Sequence, residues 1–270
     1  MPKPVALAIG AHPDDIEFMM GGTLLQLRMA GYELHMMNIA NGSCGTATLT
    51  REAIIARRLE EARSAARALG AHLHDPVVDD LDILYTKPLL KQVCAVVREV
   101  RPSIMLVPSP QDYMEDHIHA CRLAVSAGFF RGMRNFTTTP AREPVAEEVT
   151  LYHALPYGLT DSLRRVVRPG QFVDVTGVLA QKREALACHR SQKEWLDVSQ
   201  GLDSYLHAME DMSRKVGEWS VVFEYAEGWR RHAHLGFCGE DADPLSEALG
   251  DKCLVSGEYE RALKEGRILD

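Results

Sequence analysis

Long apolar runs are missing from this 270-residue chain. No stretch approaches the roughly 20 apolar residues that a membrane-crossing helix needs, so no membrane span is expected. Cys-x-x-Cys pairing is missing as well: the six cysteines, at 44, 94, 121, 188, 238 and 253, are scattered. The chain also opens directly into an apolar stretch, with no charged region and cleavage site ahead of it, so a reduced, cytoplasmic protein is expected. No block of Lys and Arg offsets the net charge of -8, which argues against a nucleic-acid or anionic-membrane surface. Gly-x-Gly-x-x-Gly does not follow the first strand, and Gly-x-x-x-x-Gly-Lys-Ser/Thr occurs nowhere, which disfavours dinucleotide and P-loop readings. There is no internal repeat and no disorder signature, and a hydrophobic content of 46% supports a buried core.

What is present is an alternation of strands and helices. Val5 to Ile9 reads as a strand buried on both faces, followed by a helix from Ile16 to a C-cap at Gly31. Glu33 to Ala40 reads as a second strand. The Asn41–Thr46 loop after it reads either as a wall of the same cleft or as a plain surface turn. Thr50 to Leu69 is a capped helix ended by Gly70, its arginines read as a mostly solvated face. Residues 71 to 78 suggest a third strand, Lys87 to Val100 a helix, Ser103 to Val107 a fourth strand, and His117 to Phe130 a further helix. In the second half, strands are expected at Val149 to His153, around Gln171 to Thr176 and at Val221 to Tyr225, with helices at Val178 to His189 and Ser199 to Val216. This rhythm predicts an α/β, Rossmann-like fold: a mostly parallel sheet with helices on both faces. The whole of residues 1–270 reads as a single domain, with a core to about 235 and an acidic tail from about 239. Trp195, Tyr205 and Trp219 read as core or subunit contacts, and the aromatic second half suits a homo-oligomer.

The chemistry concentrates in Ala11-His12-Pro13-Asp14-Asp15, directly after the first strand. His12 and Asp15, three residues apart across a tight turn, can reach one cation, while Asp14 between them stays free to move protons. The alternative is ordinary Asp capping of the next helix beside a surface His. A second His/carboxylate cluster, Asp112-Tyr113-Met114-Glu115-Asp116-His117, follows the fourth strand. If strands one and four are neighbours, His117 joins His12 and Asp15 in an open three-ligand zinc site. Asp116 then suits the role of acceptor behind a ligating imidazole, and His119, two positions on, faces elsewhere.

These motifs, with Lys182-x-x-x-Leu186-x-x-His189-x-Ser191-Gln192, Arg58-x-x-Glu61 and Ala226-Glu227-Gly228-Trp229-Arg230, resemble the PIG-L/LmbE-like family of zinc-dependent N-deacetylases over roughly residues 4 to 235. The resemblance implies one zinc per chain, or another divalent metal, held by His12, Asp15 and His117. It implies Asp14 as the general base, Arg58 as a substrate contact, and an acidic residue touching sugar hydroxyls, with Asp82 preferred and Asp79 and Asp80 as alternatives. The implied reaction is removal of an N-acetyl group from an N-acetylglucosamine-type small molecule or glycoconjugate. One position departs: the family commonly reads Asp-x-His-x-Asp-His in the second motif, and here Met114 stands where that first His is expected. Met cannot donate a useful hydrogen bond, so His189, His153 or a water is left to stabilise the oxyanion. The departure keeps two rivals open, an amidase acting on a thiol or sugar conjugate and a non-catalytic sugar-binding homologue.

Overall fold

The computed structural model describes residues 3–193 and 204–267; Trp195 and the expected helix start at Ser199 lie outside the described residues. Eight strands, β1 (Val5–Gly10), β2 (Glu33–Asn38), β3 (His72–His74), β4 (Ile104–Val107), β5 (Thr150–Ala154), β6 (Gln171–Asp174), β7 (Ala226–Arg231) and β8 (Cys253–Val255), form one sheet. Their order is β3-β2-β1-β4-β5-β7-β6-β8. The pairings from β3 to β5 are parallel, and those joining β5, β7, β6 and β8 are antiparallel.

β1 alternates between two cores, as a strand buried on both faces must. Ala6 and Ala8 pack with Leu24, Leu25 and Leu27 of α2 (Gly21–Met29), Leu69 of α3 (Arg51–Leu69) and Ala185 of α6 (Leu179–Leu186). Leu7 and Ile9 pack with Val93 and Val97 of α4 (Lys87–Val100) and with Leu123 and Ala127 of α5 (Glu115–Phe130). The chain winds from β1 outward through β2 to β3 and then crosses back to β4, on the other side of β1. The winding therefore reverses between β1 and β4, and the crevice at the carboxyl ends of such strands is where open α/β sheets bind ligands.

Three expectations need correction. The helix expected from Ile16 to Gly31 is two helices, α1 (Asp15–Met19) and α2, broken at Met20, whose φ is −131°. The break exposes the first amides of α2, and those of Gly22 and Thr23 each donate to the Glu227 carboxylate at 2.7 Å. Lys182 Nζ neutralises that carboxylate at 2.7 Å, with both side chains almost fully buried. Lys182 and Glu227, each part of a segment that resembles the family, form a latch between α2, α6 and β7. The strand expected at Val221 to Tyr225 begins later, at Ala226. The Ser220 hydroxyl accepts the amides of Val222 and Phe223 in a turn that closes α7 (Ser204–Ser220), and Val221 and Val222 project into solvent. Finally, the acidic tail is built into the sheet: β8 pairs with β6.

Candidate active site

The first loop folds back on β1 through Asp15. Its Oδ2 accepts the backbone amides of Ala11 and His12 at 2.9 and 2.8 Å. The turn is close: a Cβ at Gly10 would meet Ile16 Cγ1 at 3.0 Å and both Asp15 Cβ and Asn38 Oδ1 at 3.2 Å. Asp14 takes the strain, with φ at +113°, a conformation that L residues adopt only when their surroundings impose it. Those surroundings are Arg58 and Tyr205. Arg58 Nη2 donates to the Pro13 carbonyl and lies 3.5 Å from Asp14 Oδ2, and the Tyr205 hydroxyl hydrogen-bonds Asp14.

Because β1 and β4 are neighbours, the first turn of α5 comes up beside this loop. His117 Nε2 lies 3.5 Å from Asp15 Oδ1, and His12 Nδ1 lies 3.8 Å from Asp15 Oδ2. One ligand atom from each of His12, Asp15 and His117 lies within 4.8 Å of the others. The second nitrogen of each ring faces a carboxylate, His12 Nε2 at 2.9 Å from Asp116 Oδ2 and His117 Nδ1 at 3.0 Å from Asp112 Oδ1. This is how metal-binding imidazoles are oriented. The carboxylates are themselves anchored, Asp116 by the amide of Leu81 and Asp112 by the amide of Met114. The donor set, two imidazoles and one carboxylate with space beside them, fits a divalent cation. His119 turns away and meets the Ile83 carbonyl at 2.7 Å.

The charges agree with a cation seat. Burial pushes the His117 pKa down, but Asp15 and Asp112 outweigh it and raise it to about 9. His12 is raised too, its hydrogen bond to Asp116 and the nearby Asp15 overcoming burial. Burial raises Asp15, yet the two imidazoles and two backbone amides hold it below the usual carboxylate range. Asp14 goes the other way: burial lifts it above its ordinary value despite Arg58. Adjacent carboxylates pushed apart in this manner take different chemical roles.

The remaining expected residues distribute unevenly. Arg58 is no solvated residue of α3; it is 2% exposed, and besides Pro13 and Asp14 it holds Gln192 Oε1 at 2.7 Å. One turn on, Glu61 accepts both the amide and the hydroxyl of Ser191, at 2.9 and 2.6 Å. The Arg58-x-x-Glu61 and Ser191-Gln192 segments are thus two halves of one clasp behind Asp14. Among the carboxylates after β3, Asp80 lines the cavity and accepts the amides of Gly42 and Cys44. Asp79 is tied to Arg51 and Asn41, and Asp82 is exposed and away from the lining. His189 is fully buried, 3.3 Å from the equally buried Glu17, and His153 meets the Pro108 carbonyl and His232. Neither lines the cavity, whereas Met114 does. Sequence reasoning missed Tyr205, which read as a core or subunit contact, and Tyr157, whose ring lies 5.3 Å from that of Phe18.

These groups surround a cavity of about 380 Å³, within the usual range for small-molecule sites. Cys44 and Gly45 of the loop after β2 also line it, so that loop is a wall of the cleft. Among the described residues no helix is long and apolar enough to cross a membrane.

Comparison with known proteins agrees with this geometry. Residues 7–128 match the PIG-L family, described as GlcNAc-PI de-N-acetylase. The diacetylchitobiose deacetylase of Thermococcus kodakarensis is 31% identical over 192 residues, covering 69% of each chain. The 4-oxalmesaconate hydratase of Pseudomonas putida is 26% identical over 200 residues, covering 71% of this chain and 75% of the hydratase. In fold, the chain resembles N,N'-diacetylchitobiose deacetylase from Pyrococcus horikoshii, with a TM-score of 0.73, 24% identity, and coverage of 86% and 84% of the two chains. With its paired His/carboxylate loops at the β1/β4 switch and this extent of shared sequence, the chain belongs to the PIG-L/LmbE-like family.

Proposed function

We propose that this protein is a zinc-dependent hydrolase that removes the N-acetyl group from an N-acetylglucosamine-type small molecule or glycoconjugate. The observation that carries the reading is the convergence of His12, Asp15 and His117 on one point, with the buried, strained Asp14 beside them. The similarity to a diacetylchitobiose deacetylase supports the substrate class. Zinc suits two imidazoles and one carboxylate with an open position, although manganese or iron is compatible with the same donors. The six cysteines are free, in keeping with a cytoplasmic enzyme.

When bound, the metal supplies Lewis acidity, polarising the amide carbonyl and making a water a nucleophile near neutral pH. Asp14, its carboxyl raised by burial, accepts the proton of that water and then delivers it to the departing amine nitrogen, since a base is most useful when its pKa is shifted toward the working pH. Arg58 and Tyr205 fix the orientation of Asp14. Asp112 and Asp116 hold the two imidazoles in their ligating tautomers. Asp80, on the cavity wall, offers acceptors to sugar hydroxyls in the place first given to Asp82.

The test is release of free amine and acetate from N-acetylglucosamine and its β-1,4-linked dimer by zinc-loaded protein. The proposal predicts both products in equal amounts. Because a 4-carboxy-2-hydroxymuconate hydratase shares this scaffold, that unsaturated tricarboxylic acid belongs in the same screen, and water addition to it without amine release would overturn the hydrolase reading.

A further inference from the structure

The two sides of the cavity differ in chemistry. On the side of β2 and β3 the lining is Gly45, Cys44, Asp80, Arg58 and Gln192, with Leu81 at its edge. From α1, the loop after β4 and the segment after β5 come Phe18, Met19, Tyr113, Met114, Leu155 and Tyr157, with the polar Ser109 and Asp112 in that same loop. The apolar wall has three separate origins, α1, the loop after β4 and the segment after β5, and aromatic contacts join them. The Tyr157 ring lies 5.3 Å from Phe18 and 6.1 Å from Tyr113, and Tyr113 in turn packs edge-on against the candidate ligand His117 at 5.7 Å. Tyr113 remains 60% exposed and Tyr157 40% exposed, which is costly for aromatic surface unless something covers it. Met114, next in the chain to Tyr113, also lines the cavity, at the position where the family resemblance leads one to expect a polar imidazole.

Hydrolysis of an amide divides its substrate at the carbonyl carbon. A glucosamine half carries hydroxyls that need acceptors and donors; an acyl half carries only C–H surface beyond the carbonyl. A metal centre flanked by a polar wall and an apolar wall matches those halves, and an acetyl methyl group covers little of an apolar wall built from six side chains. We infer that the acyl side of this site is made for a longer apolar chain: acetyl is accepted, and N-acyl glucosamines bearing linear chains of about four to eight carbons are the better substrates. The inference rests on the hydrolase reading above, and the same atoms balance: water adds across the C–N bond, giving the fatty carboxylic acid and the free amine.

The experiment measures amine release by the zinc-loaded, full-length enzyme from glucosamine carrying acetyl, butanoyl, hexanoyl or octanoyl groups, together with octyl N-acetylglucosaminide. Each methylene buried on the wall is worth up to about fourfold in kcat/KM, so a rise of at least about tenfold from acetyl to hexanoyl is expected. Tyr157→Ser and Met114→Gln each lower the hexanoyl-to-acetyl ratio, by about threefold or more. A flat or falling series with measurable acetyl release overturns the acyl-chain inference and leaves the hydrolase standing. A gain confined to the octyl glycoside also overturns it, by assigning the wall to the sugar's substituent. Absence of amine from every compound, at full zinc occupancy, removes the hydrolase reading itself.

Discussion

On one side of the first loop, Asp15 is tied by two backbone amides and faces two imidazoles, so its negative charge is stabilised and kept. On the other side, Asp14 is enclosed by Arg58 and Tyr205 in a backbone conformation few residues adopt, and burial makes its charge harder to hold. Consecutive residues of the same type are thus separated into a group suited to grip a cation and a group suited to exchange a proton. What divides them is the chain beyond the loop: α5 brings His117 to Asp15, and α3, Gln192 and Tyr205 enclose Asp14. The chemical role of an aspartate here is set by what is brought to it.

The contrast can be broken at several points. Asp14→Asn keeps size and hydrogen bonding but removes the proton acceptor, and is expected to lower kcat by about 10²- to 10⁴-fold, measured on the acetyl substrate at saturating zinc. Asp112→Asn leaves Asp14 untouched and disturbs only the partner of His117; zinc affinity, from competition with a chromophoric chelator, should weaken about 10- to 100-fold. Tyr205→Phe removes one hydrogen bond to Asp14, and kcat should fall by about threefold to tenfold, with zinc affinity unchanged.

A smaller effect should appear below the site, where His153 meets the Pro108 carbonyl and supports the start of the loop that carries Asp112. Burial depresses His153 to about 4 from an ordinary 6.5. Between those values the unfolded chain binds a proton that the folded protein excludes, so this contribution to stability is full above about pH 6.5 and is lost as pH falls toward 4. Urea unfolding at pH 7.5 and pH 5 should show a wild-type loss that His153→Gln reduces by about 1 to 2 kcal/mol. An equal pH-dependent loss in both proteins would remove His153 as a cause.

The sequence was legible where the determinants are local. Val5–Gly10 and the Ala11–Asp15 turn lie in one stretch, helix α4 starts and stops at the residues its pattern indicates, and His117 joins the first loop through a single assumption, that β1 and β4 are neighbours. It was poorly legible where the partner is remote. The break at Met20 serves a carboxylate at Glu227, and the burial of Arg58 serves Asp14 and Gln192. Val221 to Tyr225 has the composition of a strand, but a Ser220 turn consumes its amides and the sheet takes up Ala226 to Arg231 instead. Tyr205 gave no distinguishing signal, because a tyrosine read as a core or subunit contact looks the same whether its hydroxyl meets water or a buried aspartate.

The most direct test of the division between Asp14 and Asp15 is zinc content per chain in wild type, His117→Ala and Asp14→Asn, each purified and dialysed identically and assayed for amine release. The account predicts about one zinc in wild type, close to none in His117→Ala, and about one zinc with almost no activity in Asp14→Asn. Full zinc in His117→Ala, or its loss in Asp14→Asn, would contradict it.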